Sequence, residues 1–383
     1  MNITIINAQD NLIKVKAVGD RLIEYYAHPD KKNFLDLKVY DPVLNSVSKI
    51  APQKKILSFV DVINCIWNST EFYFAACELT REDELQIGIY KYSFSEQSYE
   101  KTGAVFKDPK ILNGQNRIKI FILSESAILV QTEILHNTVS ENMIGNIEFL
   151  ITLLRLDTGE ENTVTDSNFL NNGINLIKAV SDNKIMVKTG YSWIEDSRMT
   201  DSADSGAFIE GVYVTTTSKF IADLTLAADS IDMPLIDSAY RDRHIICTQV
   251  TGSYTHYIIR DAQGMGAKCV FYNNETGERL EYNAGLLDIN DLRLTYVINN
   301  QPYIRNTLKH EINFLNLKKA EMDISFYDEK FIDQTGDIFI LEEEGKKDSI
   351  HIYTYPGLAL CYSDTREFYD ACRIGDNYYI YCQ

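Results

Sequence analysis

Long apolar runs are missing from this 383-residue sequence. The best candidate, NIEFLITLLRL at 146–156, carries Glu148 and Arg155 and falls well short of the roughly 18 apolar residues that a membrane-crossing helix needs. The first residues, MNITIINAQD, lack the basic stretch and apolar segment of a secretory leader. The expectation is a soluble cytoplasmic protein with no membrane partner. Proline and glycine are sparse, at 7 and 19 residues, which excludes collagen-like and low-complexity chains. Basic charge is short as well: 37 Lys and Arg stand against 55 Asp and Glu, a net charge of −18. The densest basic pairs, Lys31-Lys32, Lys54-Lys55, Lys318-Lys319 and Lys346-Lys347, read as solvated turn residues. Nothing forms the basic face that neutralises phosphates, so nucleic acid is excluded as a partner.

Recognisable site chemistry is also scarce. The seven cysteines are odd in number and no two have C-x-x-C spacing. They read as reduced thiols packed singly as small apolar groups. No G-x-S-x-G elbow and no H-E-x-x-H helix occurs, and the six histidines are scattered. Gly264-Met265-Gly266 lacks the third glycine and the helix of a dinucleotide loop. The loop EDSRMTDSADSG, 195–206, gathers Glu195, Asp196, Asp201 and Asp204, but its spacing fails the calcium-loop template. It reads as a solvated insertion. No metal and no cofactor is expected from these patterns, and they leave any catalytic residue unknown. Tyr191 and Trp193, just before that loop, are the one candidate contact surface, since such rings stack on sugars or on a partner.

What the sequence has is aromatic weight and repetition. There are 24 Tyr and 17 Phe, and aromatic and β-branched residues suit strands. LLRLDTGEENTV at 153–164 is echoed by FYNNETGERLEY at 271–282. Each is a strand, a Thr-Gly turn and a polar exit. Five more hairpins of this kind begin near residues 34, 85, 206, 311 and 349. In the first, Leu35, Leu37 and Val39 alternate with Asp36, Lys38 and Tyr40, the period of a strand with one face on a core. A second unit precedes each hairpin: a polar turn followed by an apolar, often aromatic strand. It appears at 19–27, 69–77, 125–134, 182–190, 242–250, 300–308 and 335–343, and an eighth copy, GDNYYIYCQ, occupies 375–383.

Successive units are spaced by roughly 35–60 residues with about four short strands each, as in a β-propeller blade. Paired sandwich domains share the alternation, but the long period and the reuse of one two-part unit favour an all-β propeller spanning 1–383 as a single domain. Seven blades are expected, and eight if every unit is real. The doubt lies in 306–323, where Leu308, Ile312 and Leu315 have helical spacing. The stretch 217–233 also has it, through Phe220, Leu224 and Ala227. The C-terminal unit lacks a hairpin after it, and NITIIN at 2–7 is a strand without a place. Pairing of the two would close the ring. The chain resembles the β-propeller superfold over nearly its whole length, and its Thr-Gly turns are loosely similar to those of bacterial TolB- and YVTN-type propellers. That resemblance implies a fold and no activity. The functional expectation is a monomeric, non-enzymatic scaffold that binds a protein, a peptide or another ligand. The alternative is a propeller enzyme, or a carbohydrate or small-molecule binder, using the central funnel.

Overall fold

The computed structural model describes the chain except for residues 28–34, 52–55, 66–70, 80–84, 107–116, 137–145, 191–208, 227–230, 232, 241–242, 262–265, 286–293, 309–310 and 344–348. The described residues form 31 strands and two short helices. The strands fall into eight consecutive blades, antiparallel within blades 1 to 7 and with one parallel pair in blade 8, and the fold is a β-propeller. Blade 1 holds Leu12–Val18, Arg21–Ala27, Leu35–Asp41 and Ser46–Lys49, and blade 2 holds Ile56–Cys65, Glu71–Leu79, Leu85–Ser93 and Ser98–Phe106. Blade 3 consists of Arg117–Ser124, Ala127–His136, Asn146–Arg155 and Glu161–Thr163. Blade 4 consists of Ile174–Ser181, Lys184–Thr189, Ile209–Thr216 and Leu235–Tyr240. Blade 5 runs through Arg243–Thr251, Tyr254–Asp261, Ala267–Asn273 and Arg279–Gly285. Blade 6 runs through Thr295–Ile298, Gln301–Leu308, Glu311–Asn316 and Glu321–Tyr327. Blade 7 comprises Glu329–Thr335, Ile338–Glu343, Ile350–Thr354 and Ala359–Asp364. Blade 8 comprises Phe368–Ile374 and Asn377–Cys382, with Asn2–Asn7 as its third strand.

Eight blades replace the expected seven. The stretch 306–323 is not helical: it carries the end of one blade 6 strand, a second strand and the start of a third. The helical spacing of Leu308, Ile312 and Leu315 is incidental. Of its described apolar residues, Ile312 and Phe314, two apart, are buried and Leu315 is not. The unit at 242–250 differs from its counterparts: its strand, Arg243–Thr251, is the first of blade 5, whereas those at 19–27 and 335–343 are the second of their blades. A register shift between Ile246 and Gln249, with Cys247 at φ 54, breaks the alternation there. The other suspected helix does form, as Thr217–Thr225. The Thr216 side chain caps it by accepting from the Lys219 amide at 3.3 Å, and Phe220 and Leu224 bury one turn apart.

The echoed turns behave alike. Gly159 and Gly277 have φ 72 and 74, a left-handed conformation open to glycine at little cost. Arg155 grips Asp157 in the first, while Asn273 Oδ1 accepts the Glu275 and Thr276 amides in the second.

The chain divides into two compact units. One comprises Met1–Val62, Asn68–Lys107 and Arg305–Gln383, and the other Ile63–Trp67 and Asp108–Ile304. In the first, a core of Leu12, Tyr26, Tyr40, Tyr379 and Tyr381 joins blades 8 and 1. Glu24 lies inside it, accepting from Tyr26 Oη at 2.8 Å and Tyr381 Oη at 2.9 Å. Asn2–Asn7 runs parallel to Asn377–Cys382 over six register pairs, and the Ala8 amide donates to the Cys382 carbonyl at 2.7 Å. Blade 2 buries another carboxylate, Glu78, which takes donors from Lys101, Tyr90 and Gln86. Burial opposes its ionised form, but these donors outweigh that and hold its pKa below the usual carboxylate value.

In the second unit Met186, Val212 and Val214 of blade 4 meet Ile245, Tyr257 and Val270 of blade 5. Radial packing of this kind covers both apolar faces of a blade. Of the described thiols, Cys269, Cys372 and Cys382 are buried and free. Burial pushes the first two up to about 12 and the third to about 11, so they stay protonated and unreactive.

Candidate functional site

Blades 7 and 8 of the first unit frame a cleft of 610 Å³ lined by Lys330, Phe331, Ile332, Glu342, Ser349, Arg366, Glu367 and Phe368. That volume lies within the common range for ligand sites. The local strand geometry explains the lining. A register shift between Phe331 and Asp333 bends the first strand of blade 7, and another between Phe368 and Asp370 bends the first strand of blade 8. Bulges re-aim side chains, and here consecutive residues, Phe331 and Ile332, both reach the cleft.

Its electrostatics are balanced. Lys330 and Glu342 are register partners and form an ion pair at 2.8 Å. Arg366 is held by Asp364 through Nε at 2.7 Å, by Tyr362 Oη at 3.0 Å and by Asn7. The guanidinium, with Tyr362 beside it, keeps the Asp364 carboxyl at about 2. Glu367 exchanges two backbone hydrogen bonds with Gln383, at 3.2 and 3.0 Å, which fixes that wall. Phe331 packs edge-on against Phe314 at 5.7 Å, and the Arg305 guanidinium lies 4.6 Å from the Phe331 ring centre.

Next to Lys330 in sequence, Glu329 Oε1 meets His351 Nδ1 at 2.6 Å and accepts from Tyr353 Oη at 2.9 Å. Burial, then Glu329, push the Tyr353 hydroxyl up to about 12. The second carboxylate oxygen of Glu329 is buried with no hydrogen-bond partner among the described residues.

The second unit holds a different buried set. Glu210 of blade 4 meets His244 Nδ1 at 2.8 Å, accepts the Ile245 amide at 2.9 Å and lies 3.7 Å from Lys188 Nζ, all inside the protein. In blade 3, Gln131 brackets the Ile174 backbone with hydrogen bonds of 3.1 and 2.6 Å, and Lys119 lies 3.7 Å from Glu133. The contacts of Glu210 with His244 and Ile245, and of Gln131 with Ile174, join successive blades by polar bonds that apolar packing alone would not direct.

One histidine sits between two hydroxyls. His256 Nε2 lies 3.2 Å from Thr251 Oγ1 and its Nδ1 lies 3.0 Å from Thr295 Oγ1, with the ring stacked on Phe271. It is 1 % exposed. Burial, with Lys178 adding to it, lowers its pKa to about 3, so it is a neutral core residue and not a base. The unfolded chain binds this proton below about pH 6.5 while the folded chain refuses it down to about pH 3, so stability falls as pH drops through that window. The expected loss at pH 5 is roughly 2 kcal/mol. H256Q should flatten the stability profile between pH 7 and pH 5 in urea titrations, and parallel profiles for the two proteins would refute this assignment.

Among the described residues no three His, Cys, Asp or Glu side chains converge as metal ligands. The contact surface expected at Tyr191 and Trp193 lies outside the described residues. Neither the cleft nor the Glu210 cluster was foreseen. Their residues come from separate strands and leave no local motif; the available signal was charge at strand ends, as at Lys330, Glu342 and Lys188.

No protein-family model matches the chain, and no curated protein matches its sequence. Among solved structures, similar folds include one of two prolyl endopeptidases, at 10 % identity and TM-score 0.51, covering 94 % of this chain and 52 % of that one. BamB from Moraxella catarrhalis aligns at 8 % identity and TM-score 0.46, over 98 % and 96 % of the two chains. The β-propeller domain of the Trilobed protease from Pyrococcus furiosus aligns at 10 % and 0.40, over 92 % and 83 %. This chain thus spans about half the length of the prolyl endopeptidase. At such identities the likeness is one of fold alone.

Proposed function

We propose that this chain is a non-enzymatic binding propeller that holds a peptide segment of a partner protein in the cleft of blades 7 and 8. The observation that carries this is the lining: two aromatic rings beside side chains of both charge signs within 610 Å³. A peptide offers both signs and apolar side chains together. Catalysis needs a poised nucleophile or base. Around the cleft Lys330 is paired with Glu342, Arg366 with Asp364, and Glu329 with His351 and Tyr353, so these groups serve cohesion. A second reading, a carbohydrate or other small molecule bound or turned over by the propeller, is favoured by Glu329 Oε2, a buried acceptor next in sequence to Lys330 of the cleft and without a hydrogen-bond partner among the described residues. We infer too that Asn2–Asn7 closes the ring through its pairing with Asn377–Cys382.

The test is a thermal-shift panel of peptide pools, sugars, nucleotides and divalent metals. A ligand at about 100 times its Kd adds roughly 2.7 kcal/mol, or about 3 °C for a chain of this size. A peptide pool is expected to give that gain, and the folded double variant Phe331→Ala, Phe368→Ala to lose it. Stabilisation by sugars or nucleotides alone would move the assignment to the second reading.

A further inference from the structure

We propose that blade 5 contains a buried oxyanion site centred on the Arg260 guanidinium, which takes the carboxylate or phosphate group of a small ligand. Arg260 lies near the end of the second strand of blade 5 and is 3 % exposed. Its Nε and Nη1 atoms are buried with no hydrogen-bond partner among the described residues. A guanidinium cannot escape this position by losing its proton. Leaving buried donors unsatisfied is costly, more so when they are charged, and native proteins seldom carry that cost without a use.

The surroundings fit an incoming anion. Across the sheet Arg260 pairs with His244 on one side and Ala267 on the other, and Ala267 pairs in turn with Gly285. Directly opposed side chains share a face, so the Arg260 side chain is flanked by the His244 imidazole and by the small Ala267. Glu210, the carboxylate that reaches His244, is already engaged by the His244 ring, the Ile245 amide and Lys188. Lys188 and Arg260 are both buried, at 1 % and 3 % exposure. The planar fork of a guanidinium matches the two oxygens of a carboxylate or phosphate. This site shares no residue with the cleft of blades 7 and 8, and its test is independent of any peptide ligand.

The experiment uses the full chain in Tris chloride, with sodium phosphate and sodium acetate titrated separately at constant ionic strength while thermal unfolding is followed. One of them is expected to raise the melting temperature saturably, by about 3 °C at 100 times its Kd. The more effective anion identifies the group that the site takes. Arg260→Gln should abolish the saturable part and should melt no lower than wild type in the absence of either anion. If that variant does not fold, Arg260→Lys takes its place. It keeps the charge but loses the fork, and apparent affinity should fall at least about tenfold. No saturable rise in the wild-type protein, or the same rise in the variants, overturns the proposal.

Discussion

Removing residues 1–8 should lower the melting temperature by about 5 °C and make the protein prone to aggregate. Six register pairs join Asn2–Asn7 to Asn377–Cys382, and Ile3 and Ile5 pack on a core with Ile338, Ile340, Tyr378 and Ile380. Net hydrogen bonds of about 1 kcal/mol each, with two partly buried isoleucines, give a loss on the order of 5 kcal/mol. For a chain this long that corresponds to about 5–6 °C. The exposed strand would be NYYIYC, which is uncharged, free of proline and rich in tyrosine. Such an unpaired edge is a template for pairing with another chain. Calorimetry and light scattering on the truncated protein check both parts. If it melts like the full chain, the N-terminal strand contributes nothing to blade 8.

Glu210→Ala should cost about 3–5 kcal/mol, the usual penalty for breaking a buried ion pair from one side. The loss has three parts, because the carboxylate serves Lys188, the His244 ring and the Ile245 amide. Replacing both charges by apolar groups of similar length, as in Lys188→Met with Glu210→Met, should recover much of it, since a buried pair is worth little against well-packed isosteres. Chemical denaturation of the two single variants and the double variant gives the coupling directly. If the single and double variants lose stability additively, Lys188 and Glu210 do not act as a pair.

Much of the fold was legible in the sequence because a propeller repeats its local rules. Each outer hairpin needs a tight reversal, and Asp157-Thr158-Gly159 and Glu275-Thr276-Gly277 show it in residue types. Each second strand is a short apolar run after a polar turn, as in Arg21–Ala27 and Asn377–Cys382. Blade number was harder to read. Leu308, Ile312 and Leu315 mimic a helix by spacing, and the backbone pairing of Glu311–Asn316 with Glu321–Tyr327 overrides that local signal. The different position of the 242–250 strand within its blade was not legible, and neither was the irregularity at Cys247.

Sites were least legible. Phe331 and Phe368 are 37 positions apart along the chain and meet only because two blades are neighbours. Arg260, at the end of an apolar strand, has the appearance of an ordinary solvated charge until its burial is known. The same holds for Lys188, which a charge pattern places at the surface and the fold places inside.

The parallel pairing in blade 8 also bears on the speed of folding. Asn2 and Asn377 are 375 positions apart and hydrogen-bonded through their side chains. Seven blades lie between the two strands in sequence, so blade 8 gains its third strand only when segments separated by all of them have met. Contacts of such sequence separation are the kind that slow folding.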